Sequence, residues 1–491
     1  MKSSSRRSKF RNLMAGMACL LLIACDGGGG GGGGAPPPPD TQPLSFEKTH
    51  ERVLDAGETN GMLQPRIQAA VDSNGWVHMV FFSAAPSYPV DELYSGHPLR
   101  ANPMRFQIRY LAFDPGQAEP DLSPAESIVP VTTPHDSDDP PLPGDAGIDN
   151  CHLLGLDLTT GNSPVLVYQG GSRPGAADGL GCNNFYQGDL MVSLRNGATW
   201  QEFLGIQGDA SVKNPYFTDG MAGMSGDVAV DAEGNIHMVV QHFYEWCDQH
   251  STHYPDLVYV RQSPSELGDY DTDMEQWVDQ HNRYASGGGV ENASGYFARI
   301  ILDSLERPAV FFFAIMTDGS RLIRVSRLIE GQWAPGTIYE VPDEYAVAAI
   351  SPALAPDGTL GAAYSLEKIS DDARFGDHLC YAELTEDGRW KNTKVDYHSF
   401  CGRGCVLAFD HDSRPAIVYY DENPYTEYRE RKDVKFAHFD GRQWQREIAA
   451  NEGDIGLHNA LWFDAANRAN ICTYVRDMHR ILVLRRHETT Q

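Results

Sequence analysis

Positive charge is scarce in this chain: 39 lysines and arginines stand against 67 aspartates and glutamates among 491 residues, a formal net charge of −28 at pH 7. A domain of that sign repels phosphate backbones and anionic lipid headgroups, which argues against nucleic acid as a partner and favours solubility as the reason for the charge. Long apolar runs are also missing. The N-terminal stretch Leu13 to Ala24 falls short of the roughly 20 residues that a permanent membrane span needs. No catalytic motif is present, so spacing alone assigns no reaction class. Cysteine is sparse, with nine in all.

What is present begins with a targeting layout. Lys2, Arg6, Arg7, Lys9 and Arg11 precede the apolar stretch, as in a secretory signal over residues 1–24. The stretch ends Leu22-Ile23-Ala24-Cys25, which resembles the bacterial lipobox. That resemblance implies cleavage before Cys25, a diacylglycerol on its thiol, and a protein anchored on the exported side of a bacterial envelope membrane, in a leaflet the sequence leaves open. Loss of the signal removes five positive charges and no negative one, taking the net charge from −28 to −33. Residues 25–44 contain Gly27 to Gly34 and a run of four prolines, a composition that builds no core and acts as a tether. Residues 45–491 are expected to form a single domain.

Within that domain one pattern returns seven times: an apolar run, an Asp-containing turn, and a second apolar run ending in aromatics. Its first copy is Ile67-Gln-Ala-Ala-Val-Asp-Ser-Asn-Gly-Trp-Val-His-Met-Val-Phe-Phe82, and the turn position recurs near 72, 157, 231, 303, 356, 410 and 464. Repeats made of strands, each unable to bury both faces alone, predict an all-β, seven-bladed propeller of four-stranded antiparallel blades. Asn-Gly and Asp-Gly turns mark the third and fourth strands and lead to a tryptophan, as in Val192-Ser-Leu-Arg-Asn-Gly-Ala-Thr-Trp200. Trp200, Trp277, Trp333, Trp390 and Trp444 share this place, so five of the eight tryptophans read as packing between blades. The last repeat lacks a fourth strand and residues 46–54 form an orphan one, so these are expected to pair beside 479–486 and close the ring.

The tight Asp turns define one face, and the long loops 84–105, 134–150, 170–188, 206–224, 243–256 and 278–296 define the other, mostly in blades 1 to 3. Function is expected among the loops, which vary freely. On that face Arg66, His152, Arg299, His398 and His458, with Tyr216 and Tyr284, are types that clamp a uronate carboxylate and move a proton in β-elimination. Trp246 and Tyr254 suit sugar stacking, and between them Cys247, His250 and His253 make a weak metal set. Asp269, Asp271 and Asp273 alternate as in calcium loops but lack the glycine and glutamate of an EF-hand; structural Ca²⁺ is the only cofactor they suggest, and a solvated turn is the plainer reading. His78 and His237 share one strand position and read as packing. Cys151 and Cys182 are expected to form a disulfide, and Cys380 to pair with Cys401 or Cys405, with Cys472 a buried free thiol.

The repeats resemble sialidase-type bacterial propeller repeats through their Asp-Xaa-Xaa-Gly hairpins. They depart from the Ser-Xaa-Asp-Xaa-Gly-Xaa-Xaa-Trp order of the Asp-box, and no arginine triad or Tyr/Glu nucleophile pair is placed as in sialidases. The resemblance implies fold and carries over no catalytic residue. Two functions stand side by side: a membrane-tethered module that binds a glycan or protein ligand, favoured because no catalytic motif is present, and a polysaccharide lyase acting on an acidic glycan.

Overall fold

Alternating β-branched and aromatic residues between Asp/Gly turns dictate strands, and strands are what form. The computed structural model describes residues 45–53, 67–84, 106–116, 126–128, 153–174, 186–206, 219–245, 254–267, 274–279, 293–316, 318–369, 377–397, 400–422, 432–475, 478 and 480–487. They make 28 strands in seven four-stranded antiparallel sheets, all within one compact unit, Gln42–Gln491. After β1 (Phe46–Val53), blade 1 comprises β2 (Ile67–Val71), β3 (Val77–Ala84), β4 (Phe106–Phe113) and β5 (Glu126–Ile128). Blade 2 is β6 (Leu153–Leu158), β7 (Pro164–Pro174), β8 (Tyr186–Asn196) and β9 (Thr199–Ile206). Blade 3 is β10 (Asp219–Val230), β11 (Ile236–Glu245), β12 (Tyr254–Gln262) and β13 (Gln276–Asp279). Blade 4 is β14 (Ala293–Leu302), β15 (Pro308–Ile315), β16 (Arg321–Ile329) and β17 (Gln332–Glu340). Blade 5 is β18 (Tyr345–Leu354), β19 (Leu360–Lys368), β20 (His378–Leu384) and β21 (Trp390–Asp396). Blade 6 is β22 (Phe400–Phe409), β23 (Pro415–Glu422), β24 (Lys432–Phe439) and β25 (Trp444–Ala450). Blade 7 is β26 (Ile455–Phe463), β27 (Ala469–Val475) and β28 (Arg480–Arg486), completed by β1.

Closure follows the expected route: β1 lies antiparallel to β28 from Phe46 opposite Arg486 to Val53 opposite Arg480. The first strand of each blade packs against the first strand of the next, and β26 meets β2. Burial falls from the second strand to the fourth. In β15, Pro-Ala-Val-Phe-Phe-Phe-Ala-Ile is buried throughout because neighbouring blades cover both of its faces, while β17 at the rim is largely exposed.

In four blades the turn between the first two strands repeats to the atom. Oδ1 of Asp72 accepts the N–H groups of Asn74 and Trp76, and Asp303, Asp410 and Asp464 do the same two and four residues on. In blades 2 and 5 the turn starts at Thr159 and Ala355, two residues beyond Asp157 and one before the expected 356. Three residues after each start the chain enters the left-handed region, at Gly75, Asn162, Gly234, Glu306, Gly358, Ser413 and Asn467. Where that residue is not glycine it does a second job. The side chains of Asn162, Glu306, Ser413 and Asn467 accept backbone N–H bonds from Ser73, Ala232, Asp357 and His411 in the preceding blade's turn.

The shared tryptophans pack between blades. Trp200, Trp333, Trp390 and Trp444 meet Tyr110, Tyr259, Phe311 and Tyr381 of the preceding blade edge to face, with centroids 5.1 to 5.9 Å apart. Two of these tyrosines also hold the buried histidines: His78 Nδ1 lies 2.7 Å from Tyr110 Oη, and His237 Nδ1 lies 2.7 Å from Tyr259 Oη. Burial lowers the pKa of both imidazoles against the pull of Asp72 and Asp231. Asp231 in turn is held down to about 2 despite its burial, by hydrogen bonds from Asn235 and His237.

Candidate functional site

Register breaks occur in the outer strand pairs as well, and those of the innermost strands lie near the face opposite the Asp turns. Near that face β6, β10, β14, β18, β22 and β26 all break register with their partners, between Leu153 and Gly155, Ala222 and Gly226, Ala293 and Arg299, Val347 and Ala349, Cys401 and Val406, and Ile455 and Asn459. Bulges bend a strand and re-aim its side chains, and they gather beside functional sites. Two conformations underline this. Phe297, a bulky residue, has φ +56, and Gly404 has φ +56 where an added Cβ would lie 2.2 Å from the Leu457 carbonyl oxygen.

Each innermost strand has one edge without a strand partner, and on β10, β14 and β22 side chains from the preceding blade accept N–H groups along it. Asp157 Oδ2 accepts from Val230 N at 2.7 Å, Asp227 Oδ2 from Ile300 N at 3.2 Å, Ser225 Oγ from Ala298 N at 2.7 Å and Ser351 Oγ from Leu407 N at 3.0 Å. Gly155 is required beside Asp227, since a Cβ there would come within 2.4 Å of Oδ1. Burial pushes Asp157 up to about 6 and Asp227 up to about 7, the latter against the attraction of Arg299. Arg299, a sequence candidate, sits on the β14 bulge and its Nη1 donates to the carbonyls of Gly226 (3.1 Å) and Ala298 (3.0 Å). Its guanidinium therefore closes the junction of blades 3 and 4 and is engaged by backbone.

Blades 5 and 6 bury an ionic network at the same face. Asp396 accepts from Tyr419 Oη (2.7 Å), Arg446 Nη1 (2.8 Å) and its neighbour's N–H, Lys435 Nζ lies 2.6 Å from Asp421, and Arg403 pairs with Glu367. Burial raises Asp377, which caps Lys368 N, to about 6. These groups join neighbouring blades and are occupied by one another.

Among the described residues, one buried cation on this face is not. Arg321, the first residue of β16, is 2% exposed, its Nη1 reaches only the Asp343 carbonyl at 3.5 Å, and its Nε and Nη2 have no partner among those residues. It lies over the Phe313 ring, which packs tilted against Tyr296 on the β14 bulge. Sequence reasoning passed over Arg321, although an arginine opening the apolar run Arg321-Leu-Ile is the one visible signal for it.

Among the other sequence candidates, His458 is half-buried in β26 and engaged in an interaction, and Tyr254 opens β12 opposite Tyr244. Arg66, His152, Tyr216, Trp246, His253, Tyr284, His398, Asp269, Asp271, Asp273, Cys25, Cys151 and Cys182 lie outside the described residues. Among the described residues no group of three or more His, Cys, Asp or Glu is placed to hold a metal ion. The expected Cys380 disulfide does not form: Cys380, Cys401, Cys405 and Cys472 are buried free thiols. The pleat explains it. Cys401 and Cys405 pack with Leu379 and Tyr381, so Cys380 between those two points to the opposite face of β20, toward Tyr364.

No protein-family model matches the chain, and no curated protein matches it. Among solved structures it is similar to a Dyadobacter fermentans protein of unknown function, with 11% identity, TM-score 0.45, and coverage of 90% of this chain and 100% of that one. It is also similar to a polysaccharide lyase (8% identity, TM-score 0.48, 91% and 98% covered) and to a Hadza microbial sialidase (13% identity, TM-score 0.43, 90% and 96% covered). These are likenesses of fold, and none assigns a role to a residue.

Proposed function

We propose that this chain is an exported, lipid-anchored β-propeller that binds an extended glycan on the face opposite its Asp turns. The observation that carries the reading is where the innermost strands break register: six of the seven do so near that face, with Phe297 held in a left-handed conformation. Tyr296 and Phe297 on one bulge offer the aromatic surface that sugars stack on. The N-terminal signal, Cys25 and the glycine tether would hold such a module off a membrane, where polymers are met. The sequence candidate for a carboxylate clamp, Arg299, is held by two carbonyls.

The test is a glycan-retention screen with the purified protein, run beside an absorbance assay for unsaturated products. Retention of a polysaccharide without new absorbance is expected. Unsaturated product would replace the binding reading with the lyase one, and failure to retain any glycan class would overturn the proposal.

A further inference from the structure

Carboxylates far outnumber cations in this chain, so a lysine left without one needs a reason. Of the six lysines among the described residues, Lys48, Lys391, Lys432 and Lys435 pair with carboxylates at 2.6 to 3.0 Å. Lys368 and Lys394 pair with none among those residues, and both stand at one imidazole. Lys394 Nζ donates to His378 Nε2 at 3.2 Å, which leaves the ring proton on Nδ1. Burial first, then the charges of Lys394 and Lys368, lower the pKa of that histidine and keep it neutral. Two ammonium groups drawn to one side chain repel each other, and an anion bound at the cluster relieves the repulsion.

Unlike Arg321, these groups are open to solvent: both lysines are exposed and His378 is half-buried. They sit where strands end at the face opposite the Asp turns. Lys368 closes β19, His378 opens β20 and Lys394 lies near the end of β21. Tyr345, the half-buried first residue of β18, lays its ring on the imidazole with centroids 5.1 Å apart. The neighbouring carboxylates leave the cluster its charge, since Glu367 pairs with Arg403 of blade 6 and Glu344 makes no ion pair with either lysine among the described residues. Resting on the glycan-binding reading, we infer that Lys368, His378 and Lys394 form a solvent-open oxyanion subsite that takes the uronate carboxylate or sulfate ester of an acidic glycan, with Tyr345 beside the sugar ring.

The test is affinity electrophoresis of the purified protein through gels holding polygalacturonate, dextran sulfate or neutral dextran at one ionic strength. The wild type should be retarded more by an anionic polymer than by neutral dextran, by polygalacturonate for a uronate site and by dextran sulfate for a sulfate-ester site. The double variant Lys368→Gln/Lys394→Gln should bind that polymer at least tenfold more weakly. Lys391→Gln, which removes a paired lysine from the same strand, should bind as the wild type does. Equal binding by the double variant, or an equal loss in Lys391→Gln, would overturn the subsite. Imidazole NMR supplies a reading that needs no polymer: the resonance missing from His378→Gln should shift saturably with sodium glucuronate or sodium sulfate and not with sodium chloride. A resonance unmoved by either anion counts against the subsite. Neutral dextran retained as well as the anionic polymers sinks the subsite and spares the binding reading. A saturable His378 shift with no polymer retained does the opposite.

Discussion

Arg321 and Arg324 stand three residues apart on one strand and meet opposite electrostatic surroundings, because successive side chains of β16 face different blades. Asp157 and Asp227 show the same sensitivity to place: each caps the open edge of the next blade and each is pushed up by burial, to about 6 and about 7. Folded, these carboxyls hold a proton more tightly than in the unfolded chain, where the reference is near 3.8. Their contribution to stability is therefore complete below about pH 4 and lost as pH rises through 6 to 7. Asp227→Asn keeps an acceptor for Ile300 N and removes the titration, so its stability should fall less than the wild type's between pH 4 and 7 in urea unfolding. An unchanged pH slope would show that Asp227 titrates normally. None of this was legible in the sequence, where Asp157 fell at the expected turn position and nothing singled out Asp227.

At the scale of elements, the turn and the tryptophan are the repeating units of adhesion. The Asp turn shapes one hairpin and, through Asn162, Glu306, Ser413 and Asn467, ties it to the blade before. The fourth-strand tryptophan does so at the side-chain level, as Trp333 packs edge to face on Tyr259, 5.1 Å between centroids. Trp333 is half-buried, so Trp333→Ala should cost about 2–3 kcal/mol, below the roughly 3–5 kcal/mol of a fully buried aromatic. The urea midpoint measures it, and a loss under about 0.5 kcal/mol would make the ring contact incidental. This packing was readable beforehand because the tryptophans recur at one offset from a turn. The Cys380 expectation failed at the same scale, since nearness in sequence order does not reveal which face of a pleat a side chain takes.

The whole molecule is held as a ring by eight residues, Phe46–Val53, paired along β28. Without them β28 would present an open edge of apolar strand, a template for pairing with another chain. Deletion of residues 46–53 should yield a protein that self-associates and loses its single cooperative unfolding transition, as read by light scattering and calorimetry. A monomer with an unchanged transition would place closure elsewhere.

The sequence by itself determined the all-β class, the seven blades, the Asp turns and the partner of the orphan strand, because these rest on local periods and turn chemistry that neighbouring residues carry. Only the tertiary structure decided which polar groups meet. Asp157 and Val230 stand 73 residues apart, as do Asp227 and Ile300, and their hydrogen bonds depend on the register between blades. The same register turned Arg299 toward two carbonyls, Cys380 away from Cys401, and the edge of Arg321 toward no partner among the described residues.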